Sequence, residues 1–122
     1  MGIFHIDCEI QNPMSPGKSV HLKQLLVDTG AEYSWVAAVL LEKAAIKVRK
    51  KDVPFLMANG QTITRDVGYA IIRAQGFETV DEVVFARPGD LQLLGSRTLE
   101  GFAAVVDPRR KKLVAAGPIP AA

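Results

Sequence analysis

Cysteine is nearly absent from this chain: Cys8 is the only one among 122 residues. No internal disulfide framework is available, so the fold must rest on its apolar core. Cys8 lies in the apolar-rich segment Ile3 to Ile10 and reads as a small buried hydrophobe rather than a reactive thiol. Histidine is scarce as well. His5 and His21 stand far apart and, with one cysteine, make no recognisable metal-ligand spacing, so neither a metal nor a cofactor is expected. Long apolar runs are missing too: the longest, Trp35 to Leu41, falls far short of the ~20 residues that span a bilayer. The first residues lack a basic region followed by an apolar stretch, and Ile6 stands where a myristoylation signal wants Ser or Thr. Neither sign of charge dominates. With a net charge of +2, the chain lacks the basic excess of a dedicated nucleic-acid binder. A soluble, cytoplasmic protein with no membrane and no nucleic-acid partner is the expectation.

What is present is an ordinary globular composition, 48% apolar and 23% charged. The length suits one domain over residues 1–122, with a core of about 3–115 and a tail at 116–122. Turn residues punctuate the chain as they do in β-rich proteins. Ile3 to Gln11 reads as a strand stopped by the turn-rich stretch Asn12 to Gly17, and Ser19 to Val27 as a second strand. Its wholly apolar end, Leu25-Leu26-Val27, suggests a strand entering a core from both faces. Ala37 to Ala45 is the best helix candidate. Phe55 to Met57 and Gln61 to Thr64 flank Asn59-Gly60, which predicts a hairpin. Two more strands are expected around Tyr69 to Arg73 and Thr79 to Phe85. After the short apolar run Leu91 to Leu94, a brief helix over Ser96 to Glu100 would use Ser96 as its N-cap. Val105-Val106 and Lys112 to Val114 suggest a last hairpin around Asp107-Pro108, and Gly117 to Pro120 reads as a poorly ordered tail.

The chemistry concentrates at Asp28-Thr29-Gly30-Ala31, directly after that apolar strand end. A carboxylate placed there is expected to be poorly solvated, which is costly unless it is paired or protonated. Thr29 adds a hydroxyl beside the acid, and Gly30 lets another backbone approach closely. The tripeptide alone is weak evidence, since an ordinary Asp-containing turn has the same composition.

The wider pattern is more specific. Asp28-Thr29-Gly30-Ala31-Glu32-Tyr33-Ser34-Trp35-Val36, after its apolar residues, closely resembles the catalytic motif of the retropepsin (retroviral-type) aspartic proteases. Leu93-Leu94-Gly95, followed by Ser96-Arg97-Thr98-Leu99, resembles that family's second signature, and Ala58-Asn59-Gly60-Gln61 stands where the family keeps its flap. The resemblance spans roughly Ser19 to Val114. It implies an all-β, single-lobe acid-protease fold, closed and barrel-like, with one or two short helices.

It also implies an aspartic endopeptidase, a hydrolase of peptide bonds. That chemistry needs two aspartates facing one water, and the chain has one Asp-Thr-Gly; Asp66-Val67-Gly68 lacks the hydroxyl residue. The implied enzyme is therefore a homodimer with Asp28 from each subunit on the two-fold axis. Two such carboxylates would share a proton and titrate as a pair.

By the same resemblance, Thr29 bonds across the axis to its twin and Gly30 offers its carbonyl to the substrate. Ala31 and Glu32 line the cleft, Ala58, Asn59 and Gly60 form the flap, and Ser34, Gly95 and Arg97 support the catalytic loop. Many family members carry Asp after the Ala and Arg directly after the second-signature Gly. Here Glu32 and Arg97 stand instead, which suggests an ion pair between them.

The main alternative is a catalytically silent module of the same fold for peptide binding or dimerisation, since fold does not guarantee activity. A small β-barrel nucleic-acid binder is suggested only by Lys47 to Lys51 and Arg109 to Lys112, which read more simply as solvated turns. Trp35 reads as core packing, and Tyr33 is the better pocket candidate.

Overall fold

A computed structural model describes residues 4–121. Among them, β1 (His5–Gln11), β2 (Ser19–Val27), β3 (Ser34–Ala37), β4 (Lys50–Leu56), β5 (Thr62–Ala74), β6 (Phe77–Ala86) and β7 (Leu93–Leu94) form one sheet in the order β1-β2-β7-β3-β6-β5-β4. β1 also pairs with β5, so the strands from β1 to β5 close into a ring and β4 projects beyond it. Two short helices, α1 (Ala38–Lys43) and α2 (Ser96–Phe102), pack on this frame, and β8 (Ala104–Asp107) with β9 (Lys112–Ala115) makes a separate hairpin. The mostly β architecture with two short helices agrees with expectation. The predicted strand at Ser19–Val27 and the last hairpin are both present; the start of the first predicted strand, at Ile3, lies outside the described residues.

β1 alternates outward polar with inward apolar residues, placing Ile6, Cys8 and Ile10 in the main core beside Leu22, Leu41 and Ile72. Burial and the neighbouring Asp7 push the Cys8 thiol up to about 12, so it packs as a hydrophobe, as expected. The helix expected over Ala37 to Ala45 is shorter because Ala45 takes φ +57°. The turn that follows it is held by buried Asn12, whose amide donates to Ala44 O at 3.0 Å and Ala45 O at 2.7 Å.

Three elements differ from the sequence reading. β3 was hidden inside the catalytic motif, since Ser34–Ala37 shows no alternation: its first three residues are all buried, between β6 on one side and β7 on the other. The two strands expected at Gln61–Thr64 and Tyr69–Arg73 merge into one, β5, which starts at Thr62 because Gln61 belongs to the turn and which Asp66-Val67-Gly68 does not break. Gly68 stays in the strand to let the chain after α1 pass close by: a Cβ there would lie 2.7 Å from Lys47 O and 3.0 Å from the Phe85 ring. The charged stretch read as a turn runs into β4, with a bulge between Lys50 and Val53 where Asp52 takes φ +54°. Residues 116–121 are exposed and carry no regular secondary structure.

Gly68→Ala should lower unfolding free energy by roughly 1–3 kcal/mol, because the added methyl meets fixed backbone. Urea denaturation checks this, and an unchanged midpoint would show that the segment after α1 yields freely.

Candidate active site

The Asp28 loop, residues 28–33, joins β2 to β3, and both of those strands pair with β7 slotted between them. Parallel pairing sets Val27 opposite Leu94, and the Asp28 amide donates to Leu94 O at 3.0 Å. The loop then turns sharply. Asp28 Oδ1 accepts the Gly30 amide at 2.9 Å, and the Ala31 amide donates to Asp28 O at 3.3 Å. One carboxylate oxygen thus holds the loop, while Oδ2 has no hydrogen-bond partner among the described residues. Asp28 is half-buried and Thr29 and Gly30 are exposed, so within one chain the acid is wetter than its apolar approach predicted. The strand end delivers it to the mouth of a cleft, not into the core.

Directly beneath lies the start of α2. Its Ser96 amide donates to Ala31 O at 2.7 Å and its Arg97 amide to Glu32 O at 3.0 Å. The first amides of a helix need acceptors, and here the Asp28 loop supplies them. The sequence reading placed Ser96 at the N-cap. The N-cap is Gly95, without any side-chain cap, because the loop carbonyls already occupy the donors. A Cβ on Gly95 would fall 2.4 Å from Tyr33 O and 2.7 Å from Glu32 O, so a side chain would push the two segments apart.

Ser34 completes the junction. Its Oγ accepts the Gly95 amide at 3.0 Å and lies 2.5 Å from Thr98 Oγ1, which donates to Asp81 Oδ2 at 2.9 Å. Because Thr98 gives its only proton to Asp81, Ser34 must be the donor to Thr98. This relay runs through two fully buried hydroxyls, and neither Thr98 nor Asp81 was singled out in the sequence. Arg97 is placed near the loop as expected, yet no ion pair with Glu32 forms among the described residues. Its guanidinium lies 4.6 Å from the centre of the Tyr33 ring, a cation–π contact.

Above the loop, β4 and β5 form the expected flap hairpin. The Gly60 amide donates to Met57 O at 2.9 Å, Gly60 takes φ +85°, and Asn59 Oδ1 accepts the Gln61 amide at 2.9 Å. Ala58, Asn59 and Gly60 are exposed at the tip. Inward residues of the flap arm pack on a second apolar cluster around Trp35, Val84 and Leu93. Phe55 sits with ring centres 5.3 Å from Tyr33 and 5.2 Å from Trp35, tying arm to loop. Trp35 is thus both core and cleft floor, and Tyr33 does line the pocket.

Between loop and flap lies a cleft of about 690 Å³ that includes Asp28, Gly30, Ala31, Glu32 and Ala58 on its walls. Its far side is the turn after β6, which the sequence reading passed over. There Asp90 receives a bidentate contact from Arg65 at 2.7 and 2.8 Å and the Arg87 amide at 2.8 Å. Both side chains are shielded, at 13% and 12% exposure, and the Arg65 hydrogen bonds hold the Asp90 carboxyl below its ordinary range. A smaller concavity, about 460 Å³ beside Asp7, His21 and Arg73, holds none of these elements.

A carboxylate carried on a loop between two strands, seated on a glycine-led helix and roofed by a hairpin, defines a lobe of the acid-protease class. The chain belongs to the Aspartyl protease family, whose sequence profile matches residues 16–106. No curated protein matches it.

Thr98→Val keeps the shape and strands both Ser34 and Asp81, so it should cost about 2 kcal/mol in chemical denaturation. The Arg65–Asp90 pair carries a pH signature. Because Asp90's folded value is lowered, its stabilisation is present above the unfolded carboxyl range near ~4 and disappears as pH falls through the folded value. Asp90→Asn should therefore cost about 1 kcal/mol at pH 7, with the gap to wild type closing in strong acid. A gap that stays constant with pH would show that the carboxylate charge is not what matters.

Proposed function

We propose that this chain is an aspartic endopeptidase whose active site forms on the two-fold axis of a homodimer, with Asp28 of each subunit facing one water. The observation that carries the reading is the position of Asp28: at the mouth of a roofed cleft, with Oδ2 unengaged, in a chain with a single Asp-Thr-Gly. The exposure of Thr29 and Gly30 fits a loop that a second copy covers.

In that dimer the ionised aspartate takes a proton from the water as it attacks the peptide carbonyl. The protonated partner donates to the carbonyl oxygen, and a carboxyl then returns a proton to the leaving nitrogen. The Gly30 amide keeps Oδ1 of each acid oriented, and the Thr29 hydroxyl would fix the two loops in register. Ala58, Asn59 and Gly60 close over an extended peptide and exclude bulk water, while Gly30, Ala31 and Glu32 line its path. Ser34, Gly95 and Arg97 act through the loop they support. The chemistry draws on no cofactor or metal.

A mixed peptide library incubated from acid to neutral pH, read by mass spectrometry, should give cleavage products with wild type and none with Asp28→Asn. Co-refolding wild type with an equal amount of that variant should cut the activity of the wild-type chains to about half, since half would sit in mixed dimers. A folded, dimeric preparation that binds peptides without cutting them would replace this reading with the silent binding module.

A further inference from the structure

The walls of the cleft carry charge of one sign. Asp28, Glu32 and Asp90 are its charged lining residues, and no Lys or Arg among the described residues lines it. Asp90 is neutralised from behind by the bidentate Arg65. Asp28 belongs to the chemistry. Glu32 alone remains: its backbone carbonyl is fixed by the Arg97 amide at 3.0 Å, while its exposed side chain makes no hydrogen bond or ion pair among the described residues.

Arg97, which follows the loop's helix seat, lies over Tyr33, and the carboxylates that bear on its guanidinium are Asp81 and Glu82, neither of which lines the cleft. The remainder of the wall is apolar, built from Tyr33, Trp35, Phe55, Met57 and Leu93. Apart from Asp28, a peptide that fills it meets one side-chain carboxylate without a partner among the described residues, on a backbone held by the Arg97 amide.

We infer that Glu32 is a specificity-determining residue, selecting substrates that carry a Lys or Arg beside the apolar residues flanking the scissile bond. The inference rests on the peptidase reading above. Since each subunit contributes one Glu32, the basic preference falls at equivalent positions on both sides of the cut. An ion pair formed at this exposed rim is modest and screened by salt, which sets the size of the effect.

The test uses peptides with one apolar core in which each flanking position is in turn Lys, norleucine or Glu. Wild type should cleave the Lys peptide about three- to tenfold better in kcat/KM than the norleucine peptide at the responsive positions, and the Glu peptide worst. Added salt should shrink the ratio. Glu32→Gln should erase the Lys-to-norleucine ratio, and Glu32→Lys should invert the order in favour of the Glu peptide. The same peptides titrated into the Asp28→Asn protein, followed by the fluorescence of Trp35 in the cleft floor, read the ranking without turnover.

A Lys preference that is absent from both readouts, or that survives in Glu32→Gln, overturns the inference while cleavage itself upholds the peptidase reading. Conversely, if wild type cuts nothing, the peptidase reading falls, and the binding ranking alone decides the role of Glu32.

Discussion

The site depends on one contact, the seating of the α2 N-terminus against the loop that carries Asp28. A short helix opens with amides that need acceptors, and a tight loop after a strand leaves carbonyls that need donors. Here each supplies the other: Ser96 to Ala31, Arg97 to Glu32. The exchange works only at backbone distance, which is why Gly95 has no room for a Cβ. Ser34 and Thr98 extend it inward to Asp81 on β6, so the loop carrying Asp28 is fixed to three elements at once. A buried relay of this kind is fully satisfied or very costly, and it tolerates little play in the carboxylate it supports.

Above this rigid floor the flap arm is held differently. Phe55 rests on Tyr33 and Trp35 by aromatic contact, and Arg65 reaches from β5 to Asp90 on the opposite rim. Apolar contact is non-directional and lets the arm slide, whereas the bidentate pair fixes the base of the hairpin. Among the described residues, the tip at Asn59 and Gly60 is braced by its own turn alone. The hairpin thus has a fixed base and a locally braced tip.

Legibility followed the range of the interaction. The Asp28 motif, the flap turn at Asn59-Gly60 and the Leu94-Gly95 junction could be read because each is a short run whose residue types are forced by local geometry. Capping rules look to a side chain nearby and point to Ser96 as the N-cap of α2, whereas the acceptors of its first amides, Ala31 O and Glu32 O, lie far away in sequence, before β3. The same holds for Arg65 with Asp90, and for Thr98 with Asp81: nothing near these residues marks them. Arg97 was foreseen beside the loop, but its partner was misjudged, since the face of an aromatic ring competes with a carboxylate for a guanidinium and sequence spacing does not say which is nearer.

By itself the sequence determined the family and the mostly β fold, and it marked Asp28-Thr29-Gly30 as a single motif in the chain. Tertiary structure decided what surrounds that acid: the wet mouth in which Asp28 stands, the carbonyls that cap α2, the relay beneath, and a cleft whose free charge is Glu32. Those depend on which distant segments meet, and side chains declare their partners only once the backbone has brought them within a few ångströms.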